Sequence, residues 1–179
     1  MQILLFILLG IVALFLILLI ITTFMSRYER IERSILIKKE KEEIYPYLAS
    51  LEKFTIWSPW SKKDPNMKAE FHGTPMNVGS SYTWSGNKSV KTGSMTTLEL
   101  RENEYVKHEL VFGNQNKAFA DFKIEPMNET CKVTWSLDCD FGSFPLARLM
   151  APLMQKFVGK DFEDGLAELK KVLEITHSS

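Results

Sequence analysis

The 179-residue chain is short of the side chains that most directly announce a chemistry. It has two cysteines and three histidines, and neither Cys131 nor Cys139 has a second Cys or a His at zinc-site spacing, so no metal is expected. The two thiols cannot bridge each other either. Eight residues apart on one alternating strand, they stand about 26 Å apart, against under about 7 Å between the Cα atoms of a disulfide. Free thiols suit a reducing compartment. Net charge is missing as well: 22 Lys and Arg balance 22 Asp and Glu, so no global field gathers nucleic acid, which is not expected as a partner. The chain lacks a glycine-rich phosphate loop, a Ser/His/Asp order, a low-complexity linker and an internal repeat, and no cofactor is expected.

The sharpest absence is at the start, where the first 26 residues contain no charged side chain. The 19 residues from Ile3 to Ile21 carry nothing more polar than Gly10, enough at about 1.5 Å each to cross a hydrocarbon core of about 30 Å. A cleaved signal peptide would need a basic start, an apolar stretch of about 7 to 15 residues and a small-x-small cleavage step. The chain has none of these, so residues 1–26 read as a retained single-pass transmembrane anchor. Arg27, Arg30, Arg33, Lys38, Lys39 and Lys41 follow the span, against only the terminal amine before it. Basic residues resist crossing the bilayer, so the C-terminal domain is expected in the cytoplasm. Residues 27–32 read as a short juxtamembrane linker that keeps a domain of residues 33–175 within about 20 Å of the lipid, and 176–179 as a tail.

What the domain does have is alternation. "RSILIKK" reads as a first strand, and "EKEEIYPYLASLEKF" puts Ile44, Tyr47, Leu48, Leu51 and Phe54 at helical spacing. Pro46 suits only a first turn, so that helix is expected to start nearer Glu43 than Glu40. "TIWSPWSKKDPN" is broken and aromatic, and from Met67 five or six further strands follow with connections short enough for an antiparallel meander. The last of them, "CKVTWSLDCDF", alternates without a miss. After the apolar "SFPLARLMAPLMQKF" a long helix carries Val158, Phe162, Leu166, Leu169, Val172 and Leu173 on one stripe, which needs an apolar surface to lie on. The sheet offers one.

The element order, "WSPW" at 57–60 followed by "DPN", "KTGSMT", "CKVTWSLD" and "GKDFEDGLAELKKVLE" together resemble the START-like, or SRPBCC, superfamily, within it the polyketide cyclase/dehydrase-like group. The resemblance covers about residues 31–175 and implies an α+β helix-grip fold: a curved antiparallel sheet of about six or seven strands around a long C-terminal helix, here preceded by one transmembrane helix. It also implies a hydrophobic cavity between sheet and helix, used across the superfamily for lipids, sterols, hormones and polyketides. It does not imply catalysis.

Parity then selects the cavity-side residues. On "YVKHELVF", Leu110 and Phe112 share a face with His108, a titratable group placed inside without an inward carboxylate to orient it; Asp121, Lys123 and Glu125 take the face opposite Phe122 and point to water. His108 is read as a satisfied core histidine, with ligand contact as the sharper alternative. Phe71, Tyr82, Trp84, Phe122 and Trp135 are candidate walls, and Trp57 and Trp60 a candidate cap. The stretch Phe144 to Met154 is a candidate lid, with Met150 and Met154 as adaptable contacts and Arg148 available to a lipid phosphate or to solvent. The expected function is membrane-anchored binding of a hydrophobic or amphipathic small molecule, lipid-like or polyketide-like. The alternatives are a tethered protein-interaction module with a filled core and, third, a cyclase/dehydrase-type enzyme. No protein partner can be named.

Overall fold

The computed structural model describes residues 2–113, 116–142 and 144–175, so the tail at 176–179 lies outside the described residues. A 22-residue helix, α1 (Gln2–Thr23), leads; it is long and apolar enough to cross a membrane, and its large side chains are exposed along its length. It leads almost directly into β1 (Tyr28–Ile37). The residues expected to form a linker are therefore the first half of a strand: Glu29 already lies opposite Cys139, and Ile31 opposite Leu137. The correction has a physical reason. Arg27 and Arg30, read as juxtamembrane charges, pair with Asp140 at 2.6 Å and Asp138 at 2.8 Å, which extends the ladder to the end next to α1.

Then come α2 (Lys41–Ala49), α3 (Leu51–Trp57) and α4 (Pro59–Lys63). The single helix expected over residues 40–54 breaks at Ser50, whose hydroxyl accepts from the Lys53 amide at 3.3 Å and caps α3. α2 starts at Lys41 rather than near Glu43, because Glu40 and Glu43 form a reciprocal capping box there, and Pro46 is carried inside the helix. Strands β2 (Lys68–His72), β3 (Ser81–Ser85), β4 (Thr92–Arg101), β5 (Tyr105–Phe112), β6 (Asn116–Met127) and β7 (Thr130–Asp140) follow. A 3-10 turn (Pro145–Met150) then leads into the 25-residue α5 (Ala151–Ile175).

The seven strands form one antiparallel sheet in the order β1-β7-β6-β5-β4-β3-β2, with α5 laid along β1 and β7. This is the α+β helix-grip architecture. The stripe residues Phe162, Leu166, Leu169 and Leu173 are buried, as are Val133, Trp135 and Leu137 of β7 beneath them. Two glycines of α5 let the helix come close. A Cβ on Gly159 would collide with the Arg33 guanidinium, which reaches Glu163 at 2.8 Å, and a Cβ on Gly165 would stand 2.9 Å from Cζ3 of Trp135 and 3.0 Å from Cδ of Pro59. The rings of Trp135 and Phe162 accordingly stack with centroids 3.9 Å apart and planes 8° from parallel. Gly165→Ala is therefore expected to destabilise the domain by about 1 to 3 kcal/mol through overpacking, although alanine is the better helix former by about 1 kcal/mol. Thermal unfolding of the full chain in mild detergent checks this; an unchanged or raised midpoint contradicts the close approach.

Candidate functional site

Trp135 is the hub of a solid aromatic cluster. Besides Phe162 it meets Phe122 at 5.1 Å, Trp57 at 5.4 Å, Trp60 at 5.6 Å and Phe54 at 6.0 Å between centroids. Trp57 is fixed by donating its indole N–H to the Tyr47 carbonyl at 2.9 Å. The expectation that Trp135 faces open space under α5 is thereby corrected: with Gly165 drawing the helix in, the grip is filled here.

The open space lies to one side. A cavity of about 670 Å³ has Trp60 and Met67 on one wall, Tyr82, Trp84, Met95, Leu110 and Phe112 on the sheet wall, and Ser89, Val90, Lys91, Thr92 and Gly113 around it. Among the described residues, none of α5 lines it. Trp60 is the partition, one ring shared between the aromatic hub and the cavity. A single rung runs Glu29, Cys139, Ala118, Leu110, Met95, Tyr82 and Phe71 across all seven strands, so the wall sits at the end of the sheet where β1 leaves α1.

Local chemistry shapes the wall. A Cβ on Gly93 would collide with the six-membered ring of Trp84 and stand 2.7 Å from the Val111 carbonyl oxygen, so only glycine lets that indole lie across β4. The turn over the mouth is tied to α4: Asp64 Oδ2 accepts from the Asn87 amide at 2.6 Å, and Asn87 Oδ1 accepts from Ser89 and Val90 at 2.8 and 3.2 Å. Lys91 is held there at φ 59, a left-handed conformation that costs a residue with a Cβ about 1 kcal/mol or more. The wall is apolar but not inert. The indole N–H groups of Trp60 and Trp84 and the Tyr82 hydroxyl have no hydrogen-bond partner among the described residues, and desolvation raises the Tyr82 hydroxyl above the usual phenol range, keeping it a neutral donor. Among the described residues of the lining Lys91 is the charged one, and none is a carboxylate.

The family model for polyketide cyclase/dehydrase and lipid transport matches residues 28–174. The chain belongs to this family. Solved structures agree on the fold. The Aha1 dimer from Colwellia psychrerythraea is 19% identical, with a TM-score of 0.60 over 84% of this chain and 99% of that one. A protein from Nitrosospira multiformis is 15% identical, with a TM-score of 0.62 over 84% and 100%. Ara h 8.0201 is 11% identical, with a TM-score of 0.58 over 82% and 98%. At these identities they show the fold alone. No curated protein sequence matches. Family and fold together indicate hydrophobic-ligand binding or a polyketide cyclase/dehydrase-like function.

Of the residues singled out in the sequence, this cavity brings together Trp60, Tyr82, Trp84, Leu110 and Phe112. Trp57, Phe122 and Trp135 stay in the solid cluster. Phe71 stacks on Tyr82 at 5.6 Å but is itself largely exposed at the sheet edge. Met150 is half exposed on the 3-10 turn, and Met154 packs against the core, so the stretch 144–154 is no lid over this cavity: its turn packs on α1 and α5 instead. Gly86 and Asn87 mark the turn over the mouth in the sequence, but nothing there singles out Met67, Met95 or Lys91: a positive-φ position leaves a signal where glycine or asparagine occupies it, and here a lysine does.

His108 is fully buried and away from the cavity wall. Its Nε2 lies 3.3 Å from the Leu48 carbonyl, which can only accept, so Nε2 carries the proton. Nδ1 then accepts from the Thr97 hydroxyl at 3.3 Å, which accepts in turn from Ser80 at 3.1 Å. The ring pins β5 to α2 as a neutral strut, the core reading of this histidine. Asp121 is a second correction. It does not point to water but is buried on the outer face, accepting from the Tyr105 hydroxyl at 2.7 Å with Arg30 at 3.6 Å, because long neighbours on a curved sheet fold over it.

Burial lowers the His108 pKa to about 4 from 6.5, the Leu48 bond opposing this in part. The unfolded state thus binds the extra proton first as pH falls, so the stabilisation is whole above pH 6.5 and drains away between 6.5 and 4. Going from pH 7.5 to 5 is expected to cost about 2 kcal/mol from this group. Urea midpoints of the full chain and of His108→Gln measure it: the variant starts less stable and shows a pH dependence smaller by that amount.

Proposed function

We propose that this family member binds a hydrophobic or amphipathic small molecule, lipid-like or polyketide-like, in the cavity bounded by Trp60, Tyr82, Trp84, Leu110 and Phe112, while α1 holds it to a membrane. The observation that carries the reading is the cavity itself. At about 670 Å³ it falls within the range of about 300 to 1,000 Å³ typical of small-molecule sites, and its wall joins apolar surface to a few donors without a protein partner. A tethered interaction module with a filled core has no need of such space. A cyclase-type reaction would have to draw on Tyr82 and Lys91, the titratable groups of the lining.

The donors and Lys91 favour a ligand whose polar end carries oxygen acceptors or negative charge. Holding Lys91 left-handed at the rim, where glycine would cost less, suits a side chain retained for what it meets. Anchoring is supported by the exposed apolar length of α1, and a cytoplasmic domain by the basic residues that follow it. Their ion pairs with Asp140, Asp138 and Glu163 form only on folding and so leave the insertion bias intact.

Native mass spectrometry of the full chain, released from mild detergent, is expected to show a co-purified or added amphipathic molecule at one per chain. Leu110→Trp, which fills the wall from the sheet side, should lower occupancy at least tenfold. Lys91→Glu should weaken anionic amphiphiles several-fold and leave neutral ones nearly unchanged. No retention of any amphiphile across a broad panel, with Leu110→Trp indistinguishable from the parent, overturns the reading.

A further inference from the structure

The 3-10 turn and the first turns of α5 do not cover the cavity, and they leave a concentration of bare apolar side chains. Phe144 is 62% exposed, Met150 50%, Leu153 46% and Phe157 64%. Leu153 and Phe157 stand four residues apart on α5 and so share one flank of it, and Leu149, 37% exposed, precedes them on the 3-10 turn. Elsewhere on the domain the exposed large apolar residues are dispersed in sequence, such as Leu36, Ile56, Val78 and Met127.

What lies beside this flank identifies its occupant. Nη1 of Arg148 lies 2.9, 3.2 and 2.9 Å from the carbonyls of Thr22, Thr23 and Met25, acceptors at and just beyond the end of α1. A cation at a helix C-terminus is favoured by the helix dipole as well. Because the apolar run of α1 stops at Ile21, Arg148 meets the helix one step beyond that run, with its guanidinium turned onto the helix end. Phe24, 87% exposed, and Tyr28, 65% exposed, stand at the same level and are the amphipathic and aromatic kinds of side chain that line membrane boundaries. Gln155 Nε2 ties the start of α5 to β1 at the Glu29 carboxylate, 2.7 Å away, and the Arg30 carbonyl, 3.0 Å away. The flank is thus fixed at the depth of the span's end, with Lys156 exposed beside it.

We infer that residues 144–157 form a membrane foot, resting with Leu149, Met150, Leu153 and Phe157 in the headgroup and acyl-chain boundary of the leaflet into which α1 emerges. This rests on α1 being a retained span. The foot fixes the domain's attitude, so that the rung carrying the cavity wall stays near the lipid surface instead of swinging on a loose tether.

Spin labels on single cysteines at Leu149, Leu153 and Phe157 test this in the full chain, reconstituted in vesicles of phosphatidylethanolamine and phosphatidylglycerol. Cys131 and Cys139 are buried, with thiols raised by desolvation, and so react slowly. Val12→Cys reports the span and Glu102→Cys the distal, exposed turn. Collision with a water-soluble nickel chelate is expected to be several-fold lower at 149, 153 and 157 than at 102, with oxygen collision raised. If the three sites match 102 while 12 stays shielded, the foot is wrong and the anchor survives. If 12 also matches 102, anchor and foot both fall. Shielding that disappears as protein is diluted in lipid means a second copy covers the flank, which also overturns the foot.

Discussion

The distance between α5 and the sheet is set by a hydrogen atom. With no side chain at Gly165, the helix backbone approaches until Phe162 stacks face to face on Trp135, and the indole cannot then be displaced without lifting a 25-residue helix. Around that contact Phe54, Trp57, Trp60 and Phe122 close in mostly at steep angles, the arrangement that aromatic quadrupoles prefer. Arg33 uses the space left by Gly159 in the same way, bringing a charged head over the helix while its pair with Glu163 stays at the surface.

Closing one half of the grip moves the free volume to the other. Beyond Trp60 no described residue of α5 lines the space over β3 to β5, and short pieces, α4 and the turn at 86–92, stand across the gap instead. Short pieces cannot fill it, so their contribution is to define a mouth: Asp64 and Asn87 hold the turn in place through backbone amides, and Gly93 lets Trp84 form a flat wall. The open space is thus the counterpart of tight packing elsewhere.

The two ends of the molecule are coupled by short connections. β1 begins almost as soon as α1 ends, Arg148 returns to cap that end, and Gln155 ties α5 to β1. Three attachments tie α1 to the domain, which is a different arrangement from a globule on a string.

Periodic features were legible in the sequence because they depend on neighbours a few residues apart. The apolar length of α1, the stripe of α5, the alternation of β5 and β7, and the order that marks the family all follow from the spacing of side chains along a helix or strand. His108 was placed inside by parity alone. Parity says which face a residue takes, but not what stands opposite. Trp135 and Trp84 both face inward, and how each ring can lie depends on Gly165 and Gly93, glycines whose role exists only once another element has arrived. The same limit hid the burial of Asp121 under Tyr105 and Arg30 from a distant strand, the extension of β1 through Arg27 and Arg30, and the use of Arg148 as a cap 126 residues away from Thr22. Element type and inward face were thus determined by the sequence itself, through local geometry. Where the interior is full and where it is empty was decided only by the tertiary structure, because packing is a property of pairs of surfaces and the chain shows one surface at a time.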